Sequence, residues 1–158
     1  MTQIVVVLLS LLCPDGLEKT APTYLTQSSA REHVAAATVA AIAYRVPREL
    51  LLSIAWHESR YTDARTPEAG GRVSCGVMTP EPLRACHDTI MLDGYLAGAA
   101  HLRTWLDATR STRDALLGYA GGYHLIQRCE LPDTPRQCQT PEVFLGRARW
   151  IAHVLSKG

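Results

Sequence analysis

The stretch ELLLSIAWHESRYTDA, residues 49–64, decides how the chain is read. At about 100° per residue, a helix over it puts Leu50, Leu51, Ile54 and Ala55 on one arc. Glu58 falls near the middle of that arc, His57 at its edge and Arg60 on the far side. A solvated carboxylate belongs on the polar face instead. A carboxyl among apolar neighbours has its charged form disfavoured, so its pKa rises and it can keep a proton near neutral pH. That is what a general acid needs, and Glu58 is the candidate catalytic residue. The alternative is a helix-end carboxylate paired with Arg60 or a distant arginine.

On either side of this helix the pattern stays helical. Pro47 suits its first turn. Upstream, Ser28 or Ser29 can cap the alanine-rich AREHVAAATVAAIAYR, residues 30–45. Downstream, Pro67, Gly70, Gly71, Gly76, Pro80 and Pro82 predict loop or short irregular structure over residues 62–87. Asp88 can cap a long helix whose stripe is Met91, Leu92, Tyr95, Leu96, Ala99, Leu102 and Trp105 or Leu106. Ser111 with Asp114 resembles a capping box for another helix, which meets Gly121 and Gly122. Residues 128–139 read as a second loop bearing Pro and Cys. Thr140-Pro141-Glu142 starts a last helix through Val143, Phe144, Ala148, Ile151 and Leu155, ending near Gly158. Trp56, Trp105 and Trp150 sit on helical stripes and read as core. No alternating strand pattern of useful length and no internal repeat is present, so the fold class is mainly α.

The 158 residues suffice for one domain with a real core. Hydrophobic residues at 47% and charged ones at 20% exclude a disordered chain. A net charge of +1, without blocks of either sign, gives no basis for a nucleic-acid partner. The apolar run Ile4–Leu12 is shorter than the ~20 residues that span a bilayer and suits a signal-peptide core. It lacks an early Lys or Arg and a small-x-small cleavage site, and a buried strand or helix start is the alternative. The expected division is a signal-like or anchor segment over 1–16, a leader or linker over 17–27, and the helical domain over 28–158.

Beyond Cys13 there are four cysteines: Cys75, Cys86, Cys129 and Cys138. None forms a CxxC or stands at metal-ligand spacing, so neither a zinc site nor another metal is expected. Four cysteines allow three pairings. The local ones, Cys75–Cys86 and Cys129–Cys138, would staple the two irregular loops, each bridge worth ~2–4 kcal/mol in an oxidising compartment. Four free buried thiols in a cytosolic protein are the alternative. The string His57-Glu58 fails the HExxH zinc pattern because Tyr61 stands at the second His position.

Three short segments occur in order: Glu58-Ser59, then Cys75-Gly76-Val77-Met78-Thr79-Pro80, then Gly118-Tyr119-Ala120-Gly121-Gly122. In order and approximate spacing they resemble the soluble lytic transglycosylase family, which shares the goose-type lysozyme fold. That family shows Glu-Ser, then Gly-Leu-Met-Gln with a following Pro, then Ala-Tyr-Asn-Ala-Gly. The resemblance covers roughly residues 33–155. Here Thr79 replaces the Gln, and Gly118 and Ala120 replace the Ala and Asn. The resemblance implies a single lysozyme-like helical domain with disulfide-stapled loops. It implies Glu58 as sole acid/base, Tyr119 as the tyrosine that orients it, and Met78 lining the sugar groove. Ser59 would hold the local backbone or substrate, with Thr79 also on the substrate side. Gly76 and Gly121-Gly122 permit a backbone to approach a bulky glycan.

The implied reaction is peptidoglycan cleavage at the MurNAc–GlcNAc β-1,4 bond with formation of 1,6-anhydro-MurNAc, without a cofactor. A paired-carboxylate glycosidase needs a second acid. Asp63, Glu68, Glu81, Asp88 and Asp93 qualify by type, but no motif marks any of them. The expected partners are peptidoglycan glycan strands, and the expected place is the periplasm or cell envelope after export. The small size suits an accessory enzyme that opens the wall for a secretion, conjugation or pilus machine, or one carried by a phage particle. A lysozyme-fold module that binds peptidoglycan or an assembly without cleaving it is the reading from another class, and Thr79 and Ala120 are its grounds.

Overall fold

The computed structural model describes residues 27–59, 61, 65–67, 73–75, 78, 91–132 and 135–156. Among them are five α-helices, one 3₁₀ turn and one short β ladder. The order is α1 (Gln27–Tyr44), α2 (Arg48–Ser59), β1 (Arg65–Pro67), β2 (Val73–Cys75), α3 (Met91–Ala108), α4 (Thr112–Arg128), the 3₁₀ turn (Arg136–Gln139) and α5 (Thr140–Leu155). The protein is mainly helical, as its periodicity implied. The expected signal-like segment, most of the linker, Gly76, Thr79, Asp88 and the Cys75–Cys86 pairing lie outside the described residues.

The decisive stretch is the central helix. Residues 50–56 of α2 are all buried, including Leu52, Ser53 and Trp56 on the side opposite the expected arc. A helix buried all round belongs to the middle of a domain. It packs mainly on α5 and α1, while α1 packs on α3. Ser53 is tolerated in that interior because its hydroxyl donates to the Phe144 carbonyl of α5 at 2.9 Å. Phe144, Ile151, Tyr95, Ala99 and Leu102 complete the core around it. Val143, expected on the buried stripe of α5, is 44% exposed, because its neighbour Phe144 takes the inward direction.

The boundaries follow local chemistry. α1 ends on Arg45 at φ 52°, and the Val46 N–H donates to the Ala41 carbonyl at 3.1 Å. This is a Schellman-type stop with arginine at the left-handed position usually given to glycine. Val46 is buried, and Pro47 keeps the helix from continuing. The Pro47 carbonyl then accepts from the Leu50 and Leu51 amides and opens α2. α1 is already formed at Gln27, so Ser28 and Ser29 lie inside its first turn rather than capping it. At α4, Ser111 caps as expected, its hydroxyl accepting from the Asp114 amide at 3.0 Å.

Two expectations about the loops need correction. The region after α2 contains an antiparallel pair, with Arg65 opposite Cys75 and Pro67 opposite Val73. Three-residue strands are too short to leave an alternating pattern in the sequence. α4 does not stop at the two glycines but runs on to Arg128 through a kink. There Gly122 has φ 68° and ψ −170°, a region essentially closed to other residues. Beyond the kink, Cys129 and Cys138 form a disulfide, so the expected local pairing holds for this loop. Leu117 and Leu125 pack with the two cysteines as a small second core beneath the staple.

Candidate functional site

Glu58 sits in the last turn of α2, where the helix emerges from the core: Ser53–Trp56 are buried, His57 is exposed and Glu58 is half-buried. It lines a cleft of about 400 Å³ whose facing wall comes from α4 and the segment after it. The spacing of that wall is helical. Ala120, His124 and Arg128 recur every four residues, with Gly121 and Leu125 beside them, and Gln137 and Thr140 close the far end. The kink at Gly121 and Gly122 lies within this wall. A side chain at Gly121 would place its Cβ 2.9 Å from that of Leu125, so glycine there lets Leu125 fold back under the cleft floor.

Tyr119 links two of the sequence segments. Its hydroxyl donates to the Met78 carbonyl at 2.8 Å. Burial, and then the negative charge of Glu58, push the Tyr119 hydroxyl well above the usual tyrosine range. Glu58, Met78 and Tyr119, which come from three separate stretches of chain, are therefore brought together. On its other side Tyr119 packs against His101, ring centroids 5.0 Å apart. The His101 Nε2 accepts from the Trp105 indole N–H at 3.3 Å, so this imidazole is neutral with its proton on Nδ1. Burial lowers the His101 pKa in the same direction. Gly118 fits between these rings because it has no side chain; a Cβ there would lie 2.2–2.7 Å from the Trp105 ring.

The expected site residues divide accordingly. Met78 is fully buried, its side chain against Gly98 of α3, and a Cβ on Gly98 would meet the Met78 sulfur at 2.5 Å. Its side chain therefore serves the core and does not line the groove; only its carbonyl takes part, through Tyr119. Ser59 is buried, and its hydroxyl donates to the Ala55 carbonyl at 3.0 Å, which is the backbone-holding half of its expected role. Gly122 forms the kink, and Gly121 is the glycine on the cleft wall. Gly76 and Thr79 lie outside the described residues. His57 packs edge-on against Phe144 with ring centroids 4.9 Å apart. Of the five other acids considered, Asp93 is exposed in the first turn of α3, and the rest lie outside the described residues.

His124, Arg128, Gln137 and Thr140 were not marked by any motif. The signal available was the four-residue recurrence 120-124-128, which reads as a helix face only if the helix is carried through two glycines. Among the described residues Glu58 is the one carboxylate lining the cleft, and no group of three or more His, Cys, Asp or Glu is arranged to hold a metal ion. No known family, curated protein or solved structure was found to match the chain. Among the described residues, no helix is long and apolar enough to cross a membrane.

Proposed function

We propose that the protein is a peptidoglycan lytic transglycosylase on a lysozyme-like helical domain, with Glu58 as its single acid/base. The observation that carries this is the meeting of the three sequence segments around one cleft. Glu58 lies opposite Gly121, and Tyr119 is held by the Met78 carbonyl within range of the Glu58 charge. In this reading Glu58 protonates the glycosidic oxygen while the N-acetyl group of the substrate assists departure. Glu58 then takes the proton from the C6 hydroxyl of N-acetylmuramic acid as that oxygen closes on C1. The bond to the leaving sugar breaks, the C6 oxygen–C1 bond forms, and no water is consumed.

A tethered hydroxyl needs no second carboxylate to activate it, since its effective concentration is already high. This agrees with a cleft in which Glu58 is the only acid among the described lining residues. Gln in place of Glu58 keeps the shape and removes the titrating proton. General acid–base groups contribute ~10²–10⁴-fold, and the loss of sacculus digestion should be of that order with the fold intact. Wild-type digests should contain disaccharide peptides lighter by one water than muramidase products. Reducing-end products would instead mean hydrolysis with another acid. The proposed setting is the cell envelope, after export, as an accessory opener of the wall for a secretion, conjugation or pilus machine or a phage particle.

One observation favours a second reading, a module that binds peptidoglycan or an assembly without cutting it. Ala120 presents a methyl group to the cleft where the resembled family carries an amide. Retained binding to sacculi with no soluble product would decide for that reading.

A further inference from the structure

Beside the Glu58 cleft lies a second one of about 590 Å³, lined by His57, Arg136, Gln137, Gln139, Thr140 and Val143. The two share His57, Gln137 and Thr140 in their walls and so form lobes of one groove. Each lobe carries one exposed arginine, Arg128 in the first and Arg136 in the second. Arg48, Arg103 and Arg113 are engaged with Glu49, Asp107 and Glu142. Arg128 and Arg136 form no ion pair among the described residues. Against these two cations stands one acid, Glu58.

A glycan backbone of N-acetylated sugars has no charge to answer this surplus. The anionic part of the proposed substrate is the short acidic peptide on the lactyl ether of N-acetylmuramic acid. That sugar is the one whose C1 bond would be broken, so its peptide leaves the strand close to Glu58. Resting on the transglycosylase reading, we propose that the second lobe is a subsite for this peptide, with the Arg136 guanidinium binding one of its free carboxylates. A planar fork of donors suits a carboxylate better than any other basic side chain. Val143, 44% exposed at the same lobe, offers apolar contact to the aliphatic parts of the peptide, and Gln137 and Gln139 offer amides to its backbone.

The test measures binding, which does not depend on catalysis. Soluble glycan strands with their peptides, and the same strands stripped by an amidase, are titrated calorimetrically against the Glu58→Gln protein. Peptide-bearing strands should bind about tenfold more tightly, the scale of one charge-assisted hydrogen bond. Adding Arg136→Gln should bring the ratio to about one. A second readout needs no change at Arg136: raising salt from about 50 mM to about 500 mM should shrink the ratio, because the contact is ionic and exposed. Equal affinity for the two strands, no binding to either, or a ratio insensitive to both Arg136→Gln and salt would overturn the subsite. Cleavage by wild type is scored separately. A persisting binding ratio with no anhydro product from either strand would reject the proposed reaction and leave the subsite standing.

Discussion

Replacing Gly118 by alanine tests the packing behind the cleft. The added Cβ would meet three Trp105 ring atoms at 2.2, 2.4 and 2.7 Å. Ordinary contact begins at 3.4 Å, so the ring or the helix must yield by the difference, 1.2 Å. The Trp105 ring is held by its hydrogen bond to His101 and by Tyr123, whose ring centroid is 4.8 Å away. Overpacking of this kind costs about 1–3 kcal/mol, and a rigid ring belongs at the upper end. Alanine in a helix interior recovers roughly 1 kcal/mol over glycine. The expected net loss is about 1–2 kcal/mol, read from the urea midpoint at unchanged slope. In a Trp105→Leu background the clash disappears and only the helix gain remains, so the same substitution should stabilise by roughly 0.5–1 kcal/mol. The sign of the effect reverses, and the double-mutant cycle should give a coupling of about 2 kcal/mol. A Gly118→Ala protein more stable than wild type, or a coupling near zero, would refute this account of the α3–α4 interface.

Three further outcomes are expected. His33 is buried, with its Nδ1 3.1 Å from the Tyr95 hydroxyl; burial lowers its pKa to about 4 from 6.5, partly offset by a backbone hydrogen bond with Tyr61. The unfolded chain therefore takes up a proton between those values while the folded one does not, so this contribution is complete above pH 6.5 and is lost as pH falls toward 4. Denaturation at stepped pH should show about 3 kcal/mol lost across that window, and His33→Gln with the same pH slope as wild type would refute the assignment. Gly122→Ala should cost about 1–3 kcal/mol from backbone strain alone, since no atom lies within 4 Å of the new Cβ; thermal unfolding indistinguishable from wild type would contradict the kink. Replacing Cys129 and Cys138 by serine should remove about 2–3 kcal/mol through the short loop they close, and an unchanged melting curve under non-reducing conditions would count against the bridge.

The helices were legible because their periodicity is strong and their stops are chemical. Pro47, Ser111 and the Thr140-Pro141-Glu142 start all fall at observed boundaries or within a residue of them. The burial of α2 was read only in part, because the sequence shows which residues are apolar but not how many neighbours surround them. Ser53 and Trp56 became core through the Phe144 carbonyl and the surrounding helices, which lie far away in sequence. The two glycines misled in a physical way. A glycine pair is compatible with a stop or a kink, and the choice depended on tertiary packing of Leu125 and the staple. At the cleft, Glu58 and Tyr119 were visible from their motifs. Arg128 and Gln137 were not, since exposed polar residues become a wall only when something folds opposite them.

The cleft draws on two stretches of chain that do not overlap. His57 and Glu58 belong to the central helix, whereas the opposing wall lies wholly between Ala120 and Thr140, a run closed on itself by the Cys129–Cys138 bridge. Such a division lets the two walls diverge independently. Residues on the stapled run can be exchanged, lengthened or recharged without disturbing the burial that holds the acid in place. The run thus has the properties of an interchangeable cassette, and grafting it onto another helical scaffold would carry the charge pattern of the wall as one unit.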